Sequence, residues 1–169
     1  MIYPIVNYGD PVLEKPAQTV TSFDAELKQL IEDMFESMYA AHGVGLAAPQ
    51  IGISKRIAVI DVTFKEDPGA RLVLVNPEII KVEGRQTQSE GCLSIPDFRE
   101  KVTRPKRVTV RAQDANGKWY EKTGEELLAR AFMHETDHLN GKLYIQHISA
   151  LKRDLMKRKI RKLQKAGEW

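Results

Sequence analysis

Gly124-Glu-Glu-Leu-Leu-Ala-Arg-Ala-Phe-Met-His-Glu-Thr-Asp-His-Leu-Asn140 has the periodicity of a helix and, towards its end, the pattern H-E-x-x-H. Leu127, Leu128, Ala131 and Phe132 recur at helical spacing and are predicted to face inward, with Asn140-Gly141 as the stop. At about 100° per residue, His134 and His138 stand about 40° apart on one face, so both imidazoles can reach one cation. Glu135 stands about 60° from His138 and can touch a water on that cation without being a ligand. Such a helix, set among short β-branched runs, points to an α+β architecture with the metal-binding helix at its centre.

Upstream of it, Arg56-Ile-Ala-Val-Ile-Asp61 and Arg71-Leu-Val-Leu-Val-Asn76 fit buried strands, and Lys65-Glu-Asp-Pro-Gly69 forms a turn between them. Further strands are predicted at Ile79 to Glu83, Arg99 to Thr103 and Arg107 to Gln113. The turn signal Asp114-Ala-Asn-Gly117 then leads to a partner strand starting at Trp119. Nearer the start, Leu27, Leu30, Ile31, Met34, Phe35 and Met38 mark an amphipathic helix. Thr21, Ser22 or Asp24 can cap it, and Gly43 can supply the left-handed residue that ends it. Met1 to Val20, with Pro4, Pro11 and Pro16, reads as an irregular arm laid across the domain. No repeat or linker divides the chain. Residues 1–169 are predicted to form one catalytic domain of class α+β: mixed or antiparallel sheets around the central helix, an N-terminal amphipathic helix, and a basic C-terminal helix over 148–166.

With 169 residues, 42% of them hydrophobic, the chain is long enough to build a full core. No stretch approaches the roughly 18 consecutive apolar residues of a membrane span, and Met1-Ile2-Tyr3-Pro4 lacks the design of a secretory signal. A cytoplasmic protein without a membrane partner is expected. The single cysteine, Cys92, cannot form an internal disulfide, so its thiol is free for chemistry. A net charge of +3 is too mild to imply DNA binding, although the basic excess gathers at the C-terminal end.

A catalytic metal needs a third protein ligand and an open fourth position. The extended zinc-protease form is absent: Gly141 and Tyr144 stand three and six residues after His138, and His147 is out of register. Cys92, in Ser89-Glu-Gly-Cys-Leu-Ser94, offers a free thiol upstream, although most free cysteines are small buried hydrophobes.

Gly43-Val-Gly-Leu-Ala-Ala-Pro-Gln50, Glu90-Gly-Cys-Leu-Ser94 and His134-Glu-Thr-Asp-His138, in this order, resemble the three signature motifs of the peptide deformylase family. The resemblance covers nearly the whole chain. It implies that Cys92, His134 and His138 bind one divalent metal, with Fe(II) favoured and zinc, nickel or cobalt able to substitute, whereas a thiolate and two imidazoles on general grounds suit zinc. It implies hydrolysis of the formyl amide on nascent N-formylmethionyl polypeptides, with Glu135 passing a water proton to the departing amine. The Gln50 side-chain amide and the backbone N–H of Leu93 would meet the developing oxyanion. Gly45 is the candidate for main-chain pairing with the peptide, because a residue without Cβ permits close approach. Val44 and Leu127 map to the methionine pocket and Arg99 to a position near the peptide. Arg130 and Ala131 stand where the family often has apolar pocket residues.

From Ile148 onward, Leu151, Leu155, Met156, Ile160 and Leu163 form a helical stripe beside Lys152, Arg153, Lys157, Arg158, Lys159, Arg161, Lys162 and Lys165. Such a helix serves either as a solvated surface element or, through phosphate neutralisation, as a contact to ribosomal RNA. Two rivals to the deformylase reading are a zinc peptidase and an RNA-binding protein with a closed structural metal site. The second needs a fourth ligand from His147 or His42.

Overall fold

Asp24 starts the first helix. Its carboxylate accepts the Leu27 N–H at 2.9 Å, and α1 runs Ala25–Ala40. The left-handed residue that ends α1 is His42, with φ of 58°, and not the expected Gly43. Gly43 instead makes room for a neighbouring segment. A Cβ there would lie 2.8 Å from Leu93 Cδ1, so its lack of a side chain lets the Cys92 turn close over it. The computed structural model describes residues 1–169. It continues with β1 Gly45–Ala47, β2 Ile57–Ile60, β3 Leu72–Glu83, β4 Gln86–Cys92, β5 Ile95–Arg104, β6 Arg107–Gln113, β7 Trp119–Glu125, α2 Leu127–Leu139 and α3 Ala150–Lys165.

Five strands form an antiparallel sheet in the order β1-β2-β3-β6-β7, and β4 pairs with β5 in a separate antiparallel ribbon. The period of two in β2 explains how the sheet is covered on both sides. Ala58 and Ile60 join Leu74, Val108 and Val110 against Phe132 and Leu139 of α2, whereas Ile57 and Val59 pack with Met34, Phe35 and Met38 of α1. A third apolar cluster joins Leu13, Ile95 and Val102 to Tyr144, Met156 and Ile160, which seats α3 beside the ribbon.

Several boundaries differ from the sequence expectation. The two strands expected at 71–76 and 79–83 are one strand, β3, with register shifts between Val75 and Glu78, where Asn76 and Pro77 interrupt the ladder, and between Ile79 and Lys81. The strand β4 has no counterpart among the predicted strands, since Gln86-Thr-Gln-Ser-Glu-Gly-Cys92 has no apolar alternation; its register comes from β5 instead. The central helix starts at Leu127 and not Gly124, because Gly124 and Glu125 pair with Val108 and Arg107, and Glu126, with φ of 53°, makes the turn. As a result Leu127 is 48% exposed and does not face the core, whereas Ala131 and Phe132 are buried. On α3 only Met156 and Ile160 are buried; Leu151 and Leu155 of the expected stripe are exposed. The arm is more than an overlay: Pro11–Glu14 form a 3-10 turn and Leu13 is fully buried. No helix is long and apolar enough to cross a membrane.

Candidate active site and metal centre

The helix α2 and the end of β4 converge beneath a cleft of about 620 Å³. Cys92 Sγ lies 3.3 Å from His138 Nε2, which is 3.1 Å from His134 Nε2, and the three ligand atoms all fall within 4.8 Å of one another. A cation with bonds of about 2.3 Å to sulfur and about 2.0 Å to nitrogen, at tetrahedral angles, would separate these atoms by about 3.3–3.5 Å. The spacing therefore fits a shared ion. Neither His147, which meets Asp137 at 2.9 Å, nor His42, which stacks on Phe64, joins the cluster.

The electrostatics of the pocket favour positive charge at His134 and oppose it at His138. Burial opposes a charged His134, but hydrogen bonding towards Cys92 and the carboxylates of Glu135 and Glu90 outweigh it and hold the imidazole well above its usual range. Burial and the neighbouring His134 push His138 well below that range, since two like charges at this distance repel. A divalent cation can occupy the place that a proton would otherwise take.

Behind the ligands stands a buried ionic cluster centred on Glu90. Its Oε2 meets His134 Nδ1 at 2.6 Å and accepts from Arg104 at 2.7 Å, and its Oε1 accepts from Arg130 at 2.6 Å. Holding the Nδ1 proton of His134 leaves its Nε2 lone pair aimed at the cluster. Arg104 also donates to Asp137 at 2.7 Å. Burial disfavours the Glu90 carboxylate, yet His134 and Arg104 overcome that and hold its carboxyl far below the usual range.

Glu135 has a different environment. It is buried at the cleft floor and its Oε1 has no hydrogen-bond partner in the protein. Burial lifts its carboxyl to about 7, the range in which a group both takes and gives protons near neutral pH. Gly45 leaves room for it, since a Cβ on Gly45 would lie 2.5 Å from Glu135 Oε2. This is a second reason for glycine there, distinct from approach of a peptide.

Gln50 is 1% exposed, at the end of the Ala48–Ile51 3-10 turn. Its Oε1 accepts the Ala47 N–H at 3.0 Å, which orients the amide. Nε2 then points to Ser94 Oγ at 3.2 Å and Cys92 Sγ at 3.6 Å. The Leu93 backbone N–H makes no hydrogen bond within the protein and stands next to Cys92 at the cleft wall. Two donors thus border the sulfur. Val44, Gly45, Arg99 and Leu127 also line the cleft, and β1 is an edge strand of its sheet. Arg99 is held by Ser89, donating to its hydroxyl at 3.0 Å and its carbonyl at 3.1 Å.

The sequence matches the family model described as Polypeptide deformylase over residues 2–154. The chain belongs to the peptide deformylase family. It is 66% identical over 169 residues to the peptide deformylase of Acidobacterium capsulatum, covering 100% of this chain and 99% of that one. It is 52% identical to the peptide deformylase of Heliobacterium modesticaldum over 147 residues, 87% of this chain and 94% of the relative. The solved peptide deformylase of Legionella pneumophila superposes with a TM-score of 0.91 at 46% identity, covering 99% of this chain and 98% of that one. The peptide deformylase of Synechococcus elongatus, solved in complex with actinonin, gives 0.88 at 40% identity over 98% and 88% of the two chains. Peptide deformylases are metal-dependent hydrolases that remove the N-terminal formyl group from nascent polypeptides, and this chain is an enzyme of that kind.

For a peptide deformylase, sequence reasoning leaves one group of residues without a role. Glu90 enters only as part of a motif, and Arg104, Ser94 and Asp137 carry no signal of their own. Arg130 reads from the sequence as a disturbance of the methionine pocket, but its guanidinium turns into the Glu90 cluster and also donates to Val102 O at 3.1 Å. One signal points to the cluster: an acid two residues before a candidate ligand cysteine, with a histidine that needs its Nδ1 proton held.

Proposed function

We propose that Cys92, His134 and His138 hold one divalent cation, Fe(II) in the native enzyme, and that Glu135 moves the protons of formyl-amide hydrolysis on N-formylmethionyl polypeptides. When bound, the cation supplies Lewis acidity that activates water near neutral pH. Glu135 accepts the water proton and delivers it to the departing amine. Gln50 Nε2 and the Leu93 N–H donate to the oxygen that becomes negative at the formyl carbon. The free edge of β1 offers Gly45 to the peptide main chain, with Val44 and Leu127 bordering the methionine side chain and Arg99 beside the downstream residues. The observation that carries this reading is the placement of Glu135, with a carboxyl lifted to about 7, at the floor of the same cleft as the three convergent ligand atoms.

The test is formate release from a formyl-Met peptide by wild type and Glu135→Ala, each with measured metal content. Glu135→Ala stays metal-loaded and loses nearly all turnover; full turnover in that variant, or shortened peptides in place of formate, refutes the reading. In wild type, kcat/KM falls with acid through a limb set by Glu135, which sits at or below about 7 once a cation is beside it. Iron is supported if activity is lost in air and restored by Fe(II) but not by zinc, and overturned by full, air-stable activity with zinc alone.

We further assign the whole chain, 1–169, to one catalytic domain acting in the cytoplasm, with the basic α3 meeting ribosomal RNA. Lys152, Arg158, Lys159, Arg161, Lys162 and Lys165 lie along it, and most of them are exposed. Reversing Lys159, Arg161 and Lys162 to Glu should abolish co-sedimentation with ribosomes at low salt; unchanged co-sedimentation removes this contact.

A further inference from the structure

The N-terminal arm, which has no motif, joins the two segments that carry the proposed oxyanion donors. The Val6 N–H donates to Gln50 O at 2.8 Å, and the Tyr8 N–H donates to Ser94 O at 2.7 Å. Gln50 sits on one segment; Leu93 and Ser94 sit on the other. The two are also tied by Gln50 Nε2, which donates to Ser94 Oγ at 3.2 Å and to Cys92 Sγ at 3.6 Å. Residues 6–8 therefore span the gap between the two donor segments.

The strap is itself fastened by the far end of the molecule. After α3, Gly167 takes φ of 72° and the Glu168 N–H returns to Leu163 O at 2.8 Å, a left-handed cap that reverses the chain. The reversal brings Trp169 back to Tyr8, where its Nε1–H donates to Tyr8 O at 2.7 Å. The same indole meets Phe98 edge-on, with centroids 6.1 Å apart, and Phe98 lines the cleft. Tyr8 is thus held through both its N–H and its carbonyl, between Ser94 and Trp169.

We infer that Val6 to Tyr8 and Trp169 form a positioning strap that keeps the Gln50 amide and the Leu93 N–H in register for the transition state. The inference rests on the assignment of those two donors. A donor pair is useful only at the oxyanion position, and a shift of about 1 Å from remote changes can lower a rate on the order of a hundredfold. Loosening Trp169 acts through two intermediate bonds, so a smaller effect follows, on kcat and not on substrate binding.

The experiment measures kcat and KM on a formyl-Met tripeptide for metal-loaded, full-length Trp169→Ala and Trp169→Phe, each alone and combined with Gln50→Ala. Trp169→Ala should lower kcat on the order of tenfold with KM and metal content unchanged. Trp169→Phe keeps a ring against Phe98 but lacks the N–H, and its kcat falls between wild type and Trp169→Ala; it carries the same comparison if the alanine variant does not fold. In the Gln50→Ala background the further loss in kcat should be clearly smaller, because coupled groups are not additive and only the Leu93 N–H remains to be positioned. An equal loss in both backgrounds, or a change in KM alone, overturns the strap. Slow Gln50→Ala beside normal Trp169→Ala and Trp169→Phe removes the strap but keeps the donors, whereas normal turnover of Gln50→Ala removes the donor assignment and the strap with it.

Discussion

Two carboxylates beside the Cys92, His134 and His138 cluster behave in opposite ways, and their surroundings set the difference. Glu90 is surrounded by two guanidinium groups and an imidazole and stays ionised, whereas Glu135 is buried without a partner for its Oε1 and its carboxyl is lifted to about 7. Replacing Glu90 by Gln removes the charge that Arg104 and Arg130 share. Unpaired buried charges of this sort lower stability by about 3–5 kcal/mol, and loss of the acceptor behind His134 weakens metal binding by about 10- to 100-fold. Denaturant unfolding and metal competition titration check both numbers; a Glu90→Gln protein of normal stability and affinity would remove Glu90 from its supporting role. The donor role proposed for Gln50 predicts a rate lower by about a hundredfold or more in Gln50→Ala with metal content intact, corresponding to about 2.7–4 kcal/mol. Single-turnover kinetics read this directly.

The elements bring these residues together through local rules that the sequence states unevenly. The helix α2 was legible because its apolar period and its stop at Gly141 agree, β2 and β6 because β-branched runs end at clear turns, and β7 because the Asp114-Ala-Asn-Gly117 turn implies a partner strand. The ribbon strand β4 was not legible: its register depends on pairing with β5, and its one strongly buried acid, Glu90, is stabilised by arginines from β5 and α2 that no local pattern announces. The apolar period alone turns Leu127 towards the core, whereas the resemblance sets it at the methionine pocket; the turn at Glu126 places it in the cleft lining. Gly141 gives the clearest element-level test. Its φ of 76° suits only glycine well, and a Cβ would lie 2.8 Å from Glu14 O in the arm. Gly141→Ala should destabilise by more than about 1 kcal/mol in denaturant unfolding, with the slope unchanged; a neutral or stabilising effect contradicts the tight contact between helix stop and arm.

Across the whole molecule, the sheet holds α1 and α2 on opposite faces, and the polar anchor between α1 and the sheet is Asp61. Burial disfavours its charge, but the Tyr39 hydroxyl at 2.5 Å, the Thr63 hydroxyl and the backbone N–H groups of Lys65 and Thr63 outweigh that and bring its carboxyl down to about 2. A carboxyl depressed on folding contributes stability above its unfolded value of 3.8, and that contribution is lost as pH falls through about 2. Asp61→Asn should therefore flatten the acid limb of stability in that window, as read by denaturant midpoints at successive pH values; an unchanged slope would show that Asp61 does not carry it. The central claim concerns the meeting of β4 and α2 around one ion, and anomalous X-ray scattering from anaerobically prepared, iron-loaded crystals tests it most directly. The account predicts a single iron peak bonded to Cys92 Sγ, His134 Nε2 and His138 Nε2, with no fourth protein ligand and with Glu135 outside the coordination sphere. A peak elsewhere, or one that excludes the Cys92 sulfur, would contradict it.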